Sequence, residues 1–197
     1  MAIDTSQAYI LAVGTHLPEA TLVFDHFHVV KLINDKLSDL RRELQRHAQE
    51  KDKEVLKGTR WLLLKSPKKL DDTRDEAQRL RAAVELNAPL AAAYYLKEDL
   101  RHLWSQPDRE SATSFLDGWI ERARATGLRQ LQQMANTLRL YRTGIQAYYD
   151  VPISIGPLEG TNSKIKPLQR QSHGLRDPDF FRLRIYALHE TRLQLVG

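Results

Sequence analysis

From residue 31 onward the apolar positions recur at helical intervals. In KLINDKLSDLRRELQRHAQEKDKEVLKG the residues Ile33, Leu37, Leu40 and Leu44 are spaced four, three and four apart, which predicts one long amphipathic helix ending near Gly58. SPKKLDDTRDEAQRLRAAVEL predicts the next, with Ser66 and Pro67 as its opening and Asp71 to Thr73 as caps. Asn87-Ala88-Pro89 interrupts the pattern, and LAAAYYLKEDLRHLWSQ resumes it until Pro107-Asp108. Beyond that break RESATSFLDGWIERARATG and LRQLQQMANTLRLYRTGIQAYYD each read as a helix. In the second, Leu128, Leu131, Met134, Leu138, Tyr141, Ile145 and Tyr148 keep one stripe. Trp104 and Trp119 fall inside such stripes and are expected in the core.

The first thirty residues follow a different pattern. Leu22, Val23 and Phe24 in succession have the apolar density of a buried strand, and Ala2-Ile3-Asp4 reads as the end of another. One short helix and a turn at Leu17-Pro18 fill the interval, so a parallel βαβ unit is expected, with Asp4 and Asp25 at the C-terminal ends of its strands. In open α/β sheets that edge is where ligands and chemistry collect. Two strands do not make a stable sheet, so the chain reads as the later part of a larger α/β domain. A further extended stretch is expected over 151–156.

Composition narrows the classes of function. The 197 residues suit one domain with room for a large insertion, and a net charge of +5 favours a polyanionic partner. Cysteine is absent, which excludes disulfides, zinc fingers and every thiolate metal site. The N-terminus has no basic segment followed by an apolar run, and no stretch approaches the ~18 apolar residues of a membrane span, so a soluble cytoplasmic protein is expected.

The chemistry concentrates in SIGPLEGTNSKIKPLQRQSHGLRD. Glu159 stands near a helix start, and Lys164, Lys166, Arg170 and Arg176 follow with no further acid until Asp177. On a helix Glu159, Asn162 and Lys166 share a face. Pro167 is expected to kink that helix and Gly174 to end it. Taken alone, Glu159 is favourable with the helix dipole and Asp4 is a cap or turn residue. Asp25, His26 and His28 form only a weak zinc-like pattern; shaping the strand edge is the better reading for Asp25 and His28. KGTRWLLLKSPKK surrounds Trp61 with Lys57, Arg60, Lys65, Lys68 and Lys69 and contains no acid. That is the composition of a strand-binding surface on which a base could stack, but the favoured reading places Trp61 in the core with the cations around it.

Two end blocks carry a resemblance. AIDTSQAYILAVGTHLPEATLVFDHFHVVKLIND, followed about 130 residues on by ISIGPLEGTNSKIKPLQRQSHGLRDPDFFRLRIYAL, closely resembles bacterial insertion-sequence transposases of the ISL-three family, from residue 1 to about 190. The resemblance implies the C-terminal part of a ribonuclease-H-like fold, mainly α with a small α/β portion, interrupted by a large all-helical insertion. It implies three parts: core residues 1–30, insertion residues 31–150, and C-terminal core helices over 151–197. Asp4 and Glu159 match two of the three metal-binding carboxylates of the DDE triad, and FDHFH matches a DxxH signature at Asp25 and His28. The family's first Asp lies on the first core strand, which nothing before Met1 supplies in this sequence. Asp25 is the rival for the second catalytic position and ranks below Asp4.

Metal-dependent cleavage and joining of DNA needs hard oxygen ligands for two Mg²⁺ or Mn²⁺ ions, hence carboxylates. The implied partners are double-stranded DNA, at transposon ends and target, contacted by Lys164, Lys166, Arg170, Arg176, Lys65, Lys68 and Lys69, and further copies of the full-length protein. No membrane partner and a nucleoid-associated cytoplasmic location are expected. With two of three carboxylates, the chain alone is expected to be catalytically silent. The alternative is a DNA-binding or protein-interaction remnant acting as partner or inhibitor of full-length transposase; a purely helical scaffold leaves the two end blocks unexplained.

Overall fold

The computed structural model describes residues 2–3, 6–153, 156–171 and 177–190; of Ile3, Gln7, residues 157–159, Gln171, His189 and Glu190 it describes the backbone alone. The chain is mainly helical and divides into two compact units, Met1–Ile153 and Ser154–Gly197. The first runs β1 (Ala2–Ile3), α1 (Gln7–His16), β2 (Val23–Phe24), α2 (His26–His47), α3 (Glu50–Leu56), α4 (Arg60–Leu64), α5 (Glu76–Leu86), α6 (Ala88–Leu100), α7 (Arg109–Ala125), α8 (Arg129–Leu140) and α9 (Arg142–Asp150). The second holds α10 (Gly156–Gln171) and α11 (Pro178–Glu190).

β1 and β2 pair in parallel, Ala2 beside Val23 and Ile3 beside Phe24, with α1 as the crossover. This is the βαβ unit that the sequence predicts. β2 is buried and packs on α9, where Gly144 lets the Phe24 ring approach so closely that a Cβ at 144 would lie 2.5 Å from it. The Tyr141 ring also meets Phe24, with centroids 4.8 Å apart and the rings tilted by 50°. Strand and helices therefore share one hydrophobic core.

That core follows the predicted stripes. Val29, Ile33, Leu37 and Leu40 of α2 are buried against α6 and α8, and Leu131, Met134, Ala135 and Leu138 of α8 are buried against α7 and α2. Fully burying a leucine contributes about 1.5–3 kcal/mol before the chain's ordering entropy is counted. Trp119 is fully buried at the centre and donates its indole N–H to the Leu96 carbonyl at 2.8 Å. Trp104 is half-buried and packs against His26. Along the rim of the α2–α8 contact, Gln130 donates to Glu43 at 2.6 Å and Lys36 to Gln133 at 2.8 Å.

Three helix boundaries differ from the periodic reading. The long first helix stops at His47, and Ala48 and Gln49 are extended before α3 begins; the long-side-chain apolar stripe ends at Leu44, with only the small Ala48 packed on the core between it and α3. The segment opening at Ser66 is two 3-10 turns, Pro67–Lys69 and Asp72–Arg74, and α5 starts only at Glu76. The stripe from Leu128 to Tyr148 is two helices that meet at Tyr141, whose φ of −90° and ψ of 2° leave the helical region.

Candidate DNA-processing site

The C-terminal ends of β1 and β2 lie side by side through the Ile3–Phe24 pairing. Asp4, next in sequence after Ile3, lies outside the described residues. Asp25 follows β2 directly and is the N-cap of α2: its carboxylate accepts the Phe27 backbone N–H at 2.9 Å, and the residue is 2 % exposed. Satisfying an orphan donor at the start of a 22-residue helix is sufficient reason for a carboxylate there. The His26 ring lies 4.0 Å from that carboxylate, and His28 sits edge-on to Phe27. Among the described residues no group of three or more His, Asp or Glu is placed to hold a metal ion.

In the second unit Glu159 lies in α10, its side chain outside the description. Thr161, Ile165 and Leu168 are half-buried, whereas Asn162, Lys166 and Arg170 are exposed. At about 100° per residue, positions 159, 162, 166 and 170 fall on one side of the helix and 161, 165 and 168 on the other. Lys164 is exposed but sits about 140° around the helix from position 159, so it does not share that face. Pro167 neither ends α10 nor removes Arg170 from it. The carbonyl of Ser163, which loses its i+4 N–H partner at Pro167, belongs to an exposed residue. Gly174 and Arg176, and the residues 154 and 155 of the expected extended stretch, lie outside the described residues; Val151, Pro152 and Ile153 are irregular.

The basic segment around Trp61 departs from expectation. Trp61 is 65 % exposed, because Leu62 and Leu63 occupy the buried side of the five-residue α4 and leave the indole facing outward. Lys65 is drawn onto Glu76, with Nζ 2.5 and 2.7 Å from the two carboxylate oxygens. Glu76 is nearly buried and also accepts the Asp71 backbone N–H at 2.9 Å; the Lys65 bond first and the Asp71 bond second hold its carboxyl below the ordinary range. Lys65 thus anchors α5 to the end of α4, while Lys68 and Lys69 remain exposed.

One buried cation had no signal in the sequence. Lys97 is fully buried, donates to the carbonyls of Leu63 at 2.6 Å and Lys65 at 3.3 Å, and also pairs with Glu98. It satisfies carbonyls at the C-terminal end of α4, where the helix dipole favours a cation. Burial pushes its ammonium below the ordinary lysine range, and Glu98 opposes that shift. A lysine in an amphipathic helix reads as a solvated residue, and only the fold reveals its carbonyl partners.

A parallel strand pair feeding a capped helix, a helical bundle, and a separate basic helix bearing a single acid all lie within residues that match the DDE transposase family ISL3 (ISL-three) over 1–185, a family described as transposase. The chain belongs to that family. It is 34 % identical over 190 residues to the transposase for insertion sequence element IS1001 of Bordetella parapertussis, covering 95 % of this chain and 46 % of that protein. It is 35 % identical over 123 residues to the transposase for insertion sequence element IS1557 of Mycobacterium tuberculosis, in strains CDC 1551 / Oshkosh and ATCC 25618 / H37Rv, covering 62 % of this chain and 27 % of each relative. The chain thus spans less than half the length of these curated relatives. No solved structure matches it. Among the described residues no helix is long and apolar enough to cross a membrane.

Proposed function

We propose that this chain is the part of a DNA transposase that carries two carboxylates of a ribonuclease-H-like catalytic core, Asp4 and Glu159, with the helices α2 to α9 inserted between them. The observation that carries the reading is the parallel pairing of β1 with β2 in a member of a transposase family, since it puts the strand that Asp4 follows in sequence beside the strand that Asp25 terminates. Glu159 and Asp4 are hard oxygen donors, which suits Mg²⁺ or Mn²⁺, and the helix register at 159 matches exposed rather than half-buried neighbours. When bound, two such ions stabilise the attacking and leaving oxygens of a phosphodiester displacement. Lys166 and Arg170, on the register of Glu159, bind phosphates and hold the DNA backbone in place; Lys164, Lys68 and Lys69 extend that attraction elsewhere on the surface. Asp25 has a structural role, starting α2.

The test places substitutions in the full-length enzyme and assays nicking of a transposon-end duplex in Mg²⁺. Glu159→Gln and Asp4→Asn abolish nicking and leave DNA binding within about twofold, whereas Asp25→Asn lowers stability but leaves metal-dependent nicking in the folded fraction. Nicking retained in Asp4→Asn and lost in Asp25→Asn transfers the role to Asp25. The 197-residue chain by itself is silent in both metals. Its DNA affinity falls steeply with salt, and Lys164, Lys166 and Arg170 changed together to Ala flatten the dependence.

A further inference from the structure

The exposed Trp61 and the arginines beside it form a surface that neither the strand edge nor α10 uses. The Arg60 guanidinium lies over one face of the Trp61 ring, 4.9 Å from its centroid, and the residue's 65 % exposure leaves the rest of the indole open to solvent. Arg60 also lines a crevice between α2 and α4 together with Arg41, Leu37 and Leu63. The Nε of Arg41 is buried there with no hydrogen-bond partner, although the same side chain donates to Gln45 at 2.8 Å. Burial, then Arg60 and then Arg42, press Arg41 below the ordinary arginine range. Arg42 is itself paired with Asp39 at 2.5 Å, and Arg41 and Arg60 line the same crevice.

Single exposed aromatics are ordinary on protein surfaces and carry no message by themselves. This one lies in a stretch with no Asp or Glu between Glu54 and Asp71, and its next turn of chain presents Lys68 and Lys69 to solvent. Clustered like charges are a cost in the free protein that a phosphate relieves, and an indole face beside them offers a base its stacking partner. A paired base inside a duplex keeps its faces on its neighbours, so only an unpaired or frayed nucleotide can use the ring.

We infer that Trp61, Arg60 and Arg41 form a subsite for one unpaired DNA nucleotide, with the base stacked on Trp61 and its phosphate held by the two arginines. The subsite needs neither metal nor Glu159, so it stands or falls independently of the catalytic reading.

The experiment measures binding of a labelled 12-nucleotide single strand and of its duplex to the 197-residue chain, in EDTA, by fluorescence anisotropy. Trp61→Ala weakens single-strand binding about tenfold, as loss of one stacked base does, and changes duplex binding less than about twofold. Trp61→Phe keeps an aromatic face and recovers most of the single-strand affinity. Arg60→Ala weakens both ligands. Because Trp119 is fully buried and Trp104 half-buried, quenching of tryptophan emission by the single strand disappears in Trp61→Ala. Its thermal melt matches that of the unsubstituted chain, since the removed ring is exposed. The inference is overturned if Trp61→Ala binds the single strand as well as the unsubstituted chain does, if it loses single strand and duplex equally, or if no single-strand binding is measurable at all.

Discussion

Helices α1 and α8 are similar in length and opposite in design. α8 alternates Leu131, Met134, Ala135 and Leu138 with polar residues, and every one of those apolar side chains is buried. α1, QAYILAVGTH, is apolar on nearly all sides, yet among its described side chains only Val13 is buried, and Tyr9 and Leu11 are more than 60 % exposed. A helix apolar all round belongs in an interior. α8 thus spends its apolar stripe on the core, whereas α1 leaves apolar surface exposed, in a chain that spans less than half the length of its relatives.

Substitutions that separate these two regions differ widely in cost. Trp119→Ala empties the centre of the bundle and lowers stability by about 3–5 kcal/mol, read as a large fall in melting temperature. Gly144→Ala drives a methyl group into the Phe24 ring at the junction of strand and bundle, and costs about 1–3 kcal/mol by overpacking. Asp25→Ala removes the cap of α2 and costs about 1 kcal/mol in a urea titration. Leu11→Ser in α1 changes stability by no more than about 0.5 kcal/mol and improves solubility. A cost for Leu11→Ser equal to that of Gly144→Ala means that α1 is already covered in the chain as it stands.

Acidification separates the regions by another route. The Glu76 carboxyl is held below its ordinary value of 4.5 chiefly by Lys65 and next by the Asp71 N–H. A carboxyl so depressed stabilises the fold fully above its unfolded value, and that contribution is lost as pH falls through the lower folded value. Stability of the bundle therefore declines below about pH 4.5, and Glu76→Gln shows a flatter acid limb in pH-dependent melts.

The helical class, the parallel strand pair and the family were legible in the sequence because each rests on local spacing or on contiguous blocks: Ile33, Leu37 and Leu40 announce their burial by interval alone. What stayed hidden depends on residues remote in the chain. Tyr141 carries no helix-breaking chemistry; the break there turns Gly144 and its own ring onto Phe24, some 120 residues earlier. Trp61 reads as core by composition, but Leu62 and Leu63 take the inner side of a helix too short to bury both faces. Lys97 is inside because carbonyls of Leu63 and Lys65 meet it there. At the candidate site the helix that carries Glu159 was legible from its pattern, and the roles expected of Asp4 and Glu159 rest on the resemblance rather than on spacing along the chain.

The absence of any loop between β2 and α2 limits how this region can change over evolutionary time. A single residue, Asp25, stands between the last paired residue of the strand and the first turn of the helix. One residue inserted there would rotate α2 by about 100° and carry Val29, Ile33, Leu37 and Leu40 out of the core together. The connections at Ala48–Gln49 and in the two 3-10 turns after Ser66 have no such rigid coupling and can lengthen or shorten. Length variation among homologous chains should therefore gather at those connections and stay out of the strand-to-helix joint, so that the bundle can diversify while the angle at which it leaves the strand stays fixed.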